Sequence, residues 1–278
     1  MWVDTHVHWD ASEYGPEQAV LRRTAARDAG VSLCVVPAVA PENFATVRDW
    51  AHAHNDVYAL GIHPMWIQHA STDALDQLET ALAQWAHDPR LVAVGEIGLD
   101  SFVPEAQDPV HWQQQVAICK AQMKLAKRHG LPVILHVRKS VDAIARCIRE
   151  TGVSGGIAHA FNGSIQQAQS LIELGFVLGV GGAATFESAQ QLRRLLQAVP
   201  SEHWVLETDG PDIPPQWLYV PKEQRQAGLA QGVNGSDELP AIGQVVAPLM
   251  GLSPADCARI TTQNALRVLS RIQTEWLS

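Results

Sequence analysis

Two histidines near the amino terminus, His6 and His8, are separated by one residue. Alternate residues of a β-strand point to the same face, so both imidazoles can face one metal ion if this segment is a strand. A solvated pair of histidines at a strand end is the other interpretation. His52 and His54 have the same spacing but fall near the end of a predicted helix, where residues two apart diverge. We therefore interpret the second pair as surface residues and the first as a candidate metal-binding pair.

Four further potential ligands follow later apolar runs. They are Glu96 in G-E-I-G-L-D, His136 in P-V-I-L-H-V-R, His159 in H-A-F-N-G-S and Asp209 in L-E-T-D-G-P. Polar residues are common at strand ends, so each one alone has an ordinary structural interpretation. In a (β/α)8 barrel, however, the carboxyl ends of all strands converge on one mouth, where the active sites of this fold lie. The joint placement of these residues with His6 and His8 predicts a metal site.

The six candidate ligands offer only imidazole nitrogen and carboxylate oxygen. They can saturate one octahedral ion, or they can serve two ions if a carboxylate bridges them, for which Glu96 is the natural candidate. Imidazole with carboxylate suits Zn, Mn and similar ions, and a carboxylate-rich site also admits Mg. Because the set contains no thiolate, an open catalytic site is favoured over a structural zinc site.

Short apolar runs alternate along the chain with longer amphipathic stretches. Strands are predicted at residues 2–7, 31–39, 57–63, 91–99, 132–137, 156–161, 176–181 and 204–208. Helices are predicted at 17–29, 42–54, 72–86, 107–129, 141–150, 165–174, 188–198, 237–250 and 254–272. Eight strand-then-helix units in this length favour one α/β domain over residues 1–278, a (β/α)8 TIM barrel with an additional C-terminal helix, rather than an open doubly wound sheet. Residues 211–234, rich in Pro, Gly and Gln, are predicted to form a loop.

The composition, with 46% hydrophobic and 18% charged residues, is typical of a soluble protein. No apolar run approaches the ~20 residues that span a bilayer, and the amino terminus does not resemble a secretory signal. The four cysteines form no C-x-x-C pair, so we expect reduced thiols and a cytoplasmic location, without a stable protein partner. The net charge of −9 argues against a protein that coats duplex nucleic acid. It is compatible with an enzyme that grips a few phosphates, since bound cations can supply positive charge locally.

The chain resembles the TatD family of metal-dependent hydrolases and deoxyribonucleases, which belongs to the amidohydrolase-like barrels. The resemblance extends over almost the whole length and rests on D-T-H-x-H near the amino terminus, A-L-G-I-H-P at 59–64, G-E-I-G-L-D at 95–100, P-V-I-L-H-V-R at 132–138, H-A-F-N-G-S at 159–164, L-E-T-D-G-P at 206–211 and T-Q-N at 262–264. It implies two divalent cations, Mg, Mn or Zn. By this similarity the first is held by His6, His8, Glu96 and Asp209, and the second by Glu96, His136 and His159.

The chain departs from the family pattern in three places without losing a candidate ligand. Ser101, followed by Phe102, stands where an aromatic residue is usual after G-L-D. The usual H-C-F-S-G-S is replaced by H-A-F-N-G-S, and Ser236 replaces the usual proline two residues after Asn234. Loops at a barrel mouth shape the pocket, so these departures bear on the choice of substrate.

Two residues of the set are expected to act in catalysis. Two cations that share Glu96 would lower the pKa of a bridging water, and Asp209 would accept the proton of that water.

His63, which closes the third predicted strand, is expected to donate a hydrogen bond to a phosphate or another substrate oxygen, with packing as the other interpretation. Arg138 shares the face of His136 and is expected to bind a phosphate, although an arginine here can also pair with a structural carboxylate.

Glu207 and most of the tryptophans are expected to have structural or supporting roles. The side chain of Glu207 is predicted to point into the helix layer, where it would be structural or would support a ligand. Most of the nine tryptophans, such as Trp50, Trp85 and Trp112, fall at predicted helix or strand positions. We therefore interpret them as packing residues rather than as platforms on which bases stack.

Three functional hypotheses follow. The first, which rests on the resemblance, is a phosphodiesterase that acts on DNA ends or a small phosphodiester, as a 3′-5′ exodeoxyribonuclease. The second is a hydrolase of a small ester, lactone, amide or phosphotriester, because barrels of this kind host many chemistries. Many such relatives bridge their metals through a modified lysine, whereas this chain offers Glu96, which favours the first hypothesis. The third, a non-enzymatic binding role, is disfavoured by the complete set of six ligands.

Overall fold

Eight parallel strands, each paired with the next in chain order, form the centre of the computed structural model, which describes residues 1–277. The strands are β1 (Trp2–Asp4), β2 (Val31–Pro37), β3 (Val57–Leu60), β4 (Leu91–Asp100), β5 (Val133–Arg138), β6 (Gly156–His159), β7 (Phe176–Val180) and β8 (Trp204–Leu206). The backbone N–H of Thr5 donates to Leu206 O at 3.1 Å, and that of Asp209 donates to His6 O at 2.8 Å. These bonds join β1 to β8 and close the barrel, so the predicted fold is confirmed.

Helices surround the strands. They are α1 (Gly15–Asp28), α2 (Phe44–His54), α3 (Ala74–Gln84), α4 (Pro109–Arg128), α5 (Val141–Thr151), α6 (Ile165–Glu173), α7 (Gln190–Ala198), α8 (Lys222–Gln226), α9 (Leu239–Leu249) and α10 (Pro254–Val268). The short helix α8 lies within residues 211–234, where only a loop was predicted, and it begins directly after Pro221. Of the helices within residues 1–277, none is both long enough and apolar enough to cross a membrane.

The barrel interior is filled by apolar side chains from the strands, and the additional C-terminal helix closes one end of it. Val3, Leu33, Ile134 and Val205 belong to the same buried cluster as Leu269, which follows α10. The side-chain amide of Asn264, in α10, donates to Ser201 O and Trp204 O, at the start of β8. The C-terminal helix therefore seals the amino-terminal end of the barrel, which leaves the carboxyl ends of the strands as the open mouth.

Candidate metal centre

Glu96, on β4, lies in the mouth with its two carboxylate oxygens facing different histidines. Oε2 lies 3.1 Å from His6 Nε2 and 3.5 Å from His8 Nε2. Oε1 lies 2.9 Å from His136 Nδ1 and 4.0 Å from His159 Nε2. One carboxylate thus stands between two groups of imidazoles, which is the arrangement that a bridging ligand requires.

Asp209, which follows β8, completes the cluster. Its Oδ1 lies 3.6 Å from His6 Nε2, 3.8 Å from His8 Nε2 and 3.4 Å from His159 Nε2. The residue adopts a left-handed conformation with φ of 59°, which aspartate and asparagine tolerate better than most side chains. The structure therefore brings all six predicted ligands together at the mouth.

The backbone around Glu96 passes very close to the segment after β3. A Cβ atom at Gly61 would lie 2.7 Å from the carbonyl carbon of Gly95 and 2.9 Å from Glu96 O. The backbone N–H of Glu96 donates to Ala38 O at 2.9 Å, which fixes its position. Glycine at position 61 is thus needed for the close approach that carries Glu96 into the mouth.

Asp100, the last residue of β4, orients His136. Its Oδ2 lies 3.0 Å from His136 Nε2, and its Oδ1 accepts the backbone N–H of Phe102 at 2.7 Å. A buried carboxylate at this position fixes the ring and the tautomer of a metal-binding histidine. Burial lowers the pKa of His136, but the hydrogen bonds to Asp100 and Glu96 outweigh it and raise the pKa to about 9. Sequence reasoning assigned Asp100 no role. The sequence feature that could have indicated this role is an acidic residue directly after the predicted strand that precedes the strand of His136.

Glu207 contacts His159 within the mouth, so its predicted orientation toward the helix layer is wrong. Its Oε1 lies 3.0 Å from His159 Nδ1 and accepts the backbone N–H of Ala160 at 2.5 Å. Glu207 precedes Asp209 by two residues, and residues two apart on an extended chain share a face. Gly179 on β7 makes the room, because a Cβ atom there would overlap the Glu207 carboxylate. The contact is compatible with the predicted supporting role toward a ligand.

Asp4, at the end of β1, ties this strand to the segment after β8. Its Oδ1 accepts the backbone N–H groups of His6 and Thr208, and its Oδ2 accepts the hydroxyls of Thr208 and Ser236. Burial raises the pKa of Asp4 to about 7, against the opposing effect of these hydrogen bonds. Ser236, which replaces the usual proline, thus supplies a hydrogen bond that proline cannot make.

The pKa values of both central carboxylates lie below their usual values. Burial raises the pKa of Glu96, but the neighbouring histidines, foremost His63 and His6, outweigh it and hold the pKa well below its usual value. Burial also raises the pKa of Asp209, and the charge of His159 leads the effects that bring it below its usual value. Two anions surrounded by imidazoles form a set of ligands suited to divalent cations.

His63 lies beside the cluster and faces it with one nitrogen. Its Nε2 lies 3.3 Å from Glu96 Oε1 and 3.1 Å from His136 Nδ1. The backbone N–H of Met65 donates to Nδ1 at 3.2 Å, so the neutral ring carries its proton on Nε2. Burial lowers the pKa of His63, against the opposing effect of the Glu96 charge. A protonated nitrogen donates a hydrogen bond and cannot bind a cation, so the geometry favours His63 as a donor at the mouth.

Arg138, at the end of β5, lies outside the cluster and is about half exposed. Its Nη1 lies 3.9 Å from Asp100 Oδ2, and its guanidinium carbon lies 3.9 Å from the centre of the Phe102 ring. The head group is therefore accessible to a phosphate, and this role stays a prediction. His52, of the second histidine pair, instead pairs with Asp88 at 2.8 Å, away from the six ligands.

The chemistry of the clustered side chains fits divalent cations. The described part of the chain contains three groups of side chains whose potential ligand atoms lie within 4.8 Å of one another inside each group. They are His6, His8 and Asp209; His6, His159 and Glu207; and His63, Glu96 and His136. None of these groups includes a cysteine, and all four thiols are buried and free. Nitrogen and oxygen donors of this kind suit Zn, Mn or Mg rather than a structural thiolate site.

Comparison with known proteins gives consistent matches over most of the chain. The family model for TatD-related DNases matches residues 3–270. YjjV of Escherichia coli K12, an uncharacterised metal-dependent hydrolase, is 40% identical over 216 residues, which are 77% of this chain and 80% of YjjV. The 3′-5′ ssDNA/RNA exonuclease TatD of Rahnella sp. Y9602 is 30% identical over 254 residues, 88% of this chain and 89% of that protein. The crystal structure of E. coli YjjV superposes with a TM-score of 0.85 at 32% identity and covers 96% of this chain and 97% of its own.

Proposed function

This chain belongs to the TatD-related DNase family and is a metal-dependent hydrolase, and we propose that it removes nucleotides from the free 3′ ends of single-stranded nucleic acid. The observation that carries the proposal is the position of Glu96 between two groups of histidines, because two cations that share a ligand can act together on one phosphodiester. The Rahnella relative, a 3′-5′ ssDNA/RNA exonuclease, supports this choice of substrate.

We assign two cations to the cluster, with the ligand groups that the resemblance to the family implies and with Glu96 between them. His159 lies nearer to Asp209 Oδ1, at 3.4 Å, than to Glu96 Oε1, at 4.0 Å. The first ligand group consists of His6, His8, Asp209 and Oε2 of Glu96. The second consists of His136, His159 and Oε1 of Glu96. When bound, the cations would activate water and stabilise the charge that develops on the phosphoryl group.

The protein side chains position the substrate and transfer the proton. The carboxylate of Asp209, which faces His6, His8 and His159, accepts the proton of the attacking water. His63 donates from Nε2 to an oxygen of the scissile phosphate. Arg138 binds a phosphate at the rim of the mouth, where its guanidinium is accessible.

A single-stranded DNA oligonucleotide with a 3′ label should release labelled mononucleotide when Mg, Mn or Zn is present. Excess EDTA should abolish the release and added cation should restore it, because the six ligands act through bound metal. A circular single strand of the same sequence is the control and should resist, because it has no end. Full activity after dialysis against EDTA would contradict the metal-dependent mechanism. Turnover of an ester, lactone or amide panel, with oligonucleotides left intact, would favour the small-substrate hypothesis instead.

Binding of the oligonucleotide should depend only weakly on salt. A protein with 20 cationic and 29 anionic side chains does not coat a strand with positive charge, so the slope should reflect roughly one to three phosphate contacts. Arg138→Ala should raise KM about 10-fold or more, as the loss of a charge-assisted hydrogen bond does. Arg149→Ala, in the last turn of α5, removes the same charge at the other end of the barrel and is the matched control. A steep slope, or equal KM values for both variants, would refute this assignment.

A further inference from the structure

Four aromatic side chains are exposed among residues 1–277, namely Trp66, Phe102, Trp217 and Tyr219. All four lie in segments that leave the carboxyl ends of strands: Trp66 follows β3, Phe102 follows β4, and the other two follow β8. The other seven tryptophans are buried or partly buried, as the sequence predicted for most of them. The four most exposed aromatic side chains of residues 1–277 therefore all lie in segments on the side of the barrel that carries the candidate ligands.

Phe102 differs from the other three in its charged surroundings. The guanidinium carbon of Arg138 lies 3.9 Å from the centre of its ring, and the Lys139 ammonium lies 4.7 Å from it. The ring nevertheless keeps 52% of its surface exposed. By contrast, the indole N–H of Trp217 is bound to Glu238 at 2.8 Å, and Tyr219 packs edge-on against Phe186. The side chains of Arg138 and Lys139 thus both lie over a ring that is still half exposed, and this grouping complements a nucleotide, which carries an aromatic base and an anionic phosphate.

Ser101 holds this arrangement together. Its backbone N–H donates to Arg138 O at 3.1 Å, and its hydroxyl donates to Lys139 O at 2.6 Å. Lys139 has a left-handed backbone with φ of 52°, which places its side chain back over Phe102. The serine that replaces the usual aromatic residue thus ties the loops after β4 and β5 to each other and leaves the next residue, Phe102, to present the ring.

Arg138, which lies over the Phe102 ring, is linked to the candidate metal centre through Asp100. Arg138 Nη1 lies 3.9 Å from Asp100 Oδ2, and the same oxygen lies 3.0 Å from His136 Nε2. The other nitrogen of His136 faces Glu96 at 2.9 Å. The Phe102 ring therefore lies on the side of the cluster that Asp100 and His136 form.

We propose that Phe102, Arg138 and Lys139 form a nucleotide subsite. In this subsite the Phe102 ring stacks on the base next to the scissile phosphodiester, while the side chains of Arg138 and Lys139 bind the neighbouring phosphate of the strand. The inference rests on the proposed function and specifies its substrate class, a single strand whose bases are unpaired and free to stack. Stacking on a ring face does not distinguish bases or sugars, so oligodeoxythymidylate and oligouridylate both bind. The acidic protein obtains affinity for a single strand from the ring rather than from a basic track.

Steady-state cleavage of oligodeoxythymidylate and of oligouridylate by the metal-loaded protein tests the subsite. Phe102→Leu should raise KM by about 10-fold with a smaller change in kcat, because a stacked base is held alike in the ground and transition states. Phe102→Tyr should restore KM. Val110→Ala, an exposed apolar residue at the start of α4, is the matched control and should behave as the wild type.

An oligonucleotide that lacks the base next to its 3′-terminal phosphodiester distinguishes two explanations for a raised KM in Phe102→Leu. One is the loss of stacking on the base, and the other is a displacement of the Arg138 side chain. If the ring stacks on that base, the effect of Phe102→Leu should largely disappear on this substrate, since both changes remove the same contact. Equal effects of Phe102→Leu on the complete and the abasic strand would overturn the stacking assignment, as would a wild-type KM in this variant. A wild-type protein that leaves every oligonucleotide intact would instead refute the proposed function itself.

Discussion

Glu96→Ala should lose cations from both ligand groups and should be the least active of the single ligand variants. The side chain is only 2% exposed and faces His6 through one oxygen and His136 through the other. Its removal takes one ligand from each cation and leaves Asp209 as the one carboxylate among the six ligands. The loss of activity should exceed the roughly 10- to 100-fold cost of losing a residue that only supports a ligand. His6→Ala, which removes one ligand of the first cation alone, should lose less metal.

Metal analysis after dialysis, together with kcat, measures this difference. Glu187→Ala is a matched control, because this exposed glutamate also follows a barrel strand but lies outside the cluster. Glu96→Gln keeps the size of the side chain and separates the loss of charge from an effect on folding, which circular dichroism monitors. Two ions per chain retained in Glu96→Ala would show that Glu96 does not bridge them.

The fold and the ligand set could be predicted because both are local in sequence. Each strand is a short apolar run, and each candidate ligand follows such a run within a few residues. Once eight runs are assumed to close a barrel, His6, Glu96 and Asp209 must meet at one mouth, whatever the details of the loops. Strand lengths were less predictable: β1 and β3 end at Asp4 and Leu60, three residues before their predicted ends. Single backbone hydrogen bonds to neighbouring segments continue beyond these points, from Val7 N–H to Val35 O and from His63 N–H to Val39 O, but the regular ladder ends.

The residues that sequence reasoning missed or misplaced act across strands. Asp100 supports His136 from the neighbouring strand, and Glu207 supports His159 from two strands away. Such contacts depend on the stagger of the strands and on the space left by small residues such as Gly179. Glu207 and Asp209 are two residues apart, and this spacing on an extended chain indicates the side on which Glu207 lies.

Exposure at the mouth was also outside the reach of the sequence pattern. Trp66 and Trp217 fall outside the predicted helices and strands, so no periodicity indicates where their side chains point, whereas Trp50 lies within a predicted helix. Their exposure follows from the direction in which each loop leaves the barrel. The distinction between core and platform residues therefore required the structure.

Asp209→Asn should lower kcat by about 10²- to 10⁴-fold while at least one cation stays bound. The amide oxygen of asparagine can still face the first cation, but the group can no longer accept a proton from water. Asparagine also tolerates the left-handed conformation of residue 209, where φ is 59°, so the backbone bond to His6 O is kept. Alanine lacks both properties, and it would mix a loss of backbone geometry with the loss of the base.

The informative comparison is between kcat and metal content in the same preparation. Asp28→Asn, at the end of α1, removes one exposed carboxylate outside the cluster and should leave both quantities at wild-type values. A general base raises kcat specifically, so Asp209→Asn should change KM for the oligonucleotide much less than kcat. A parallel loss of both cations would instead make Asp209 essential as a ligand, and the fall in kcat would then say nothing about proton transfer. Near-normal turnover with both cations bound would show that another group accepts the proton, and Asp209 would lose its assignment as the base.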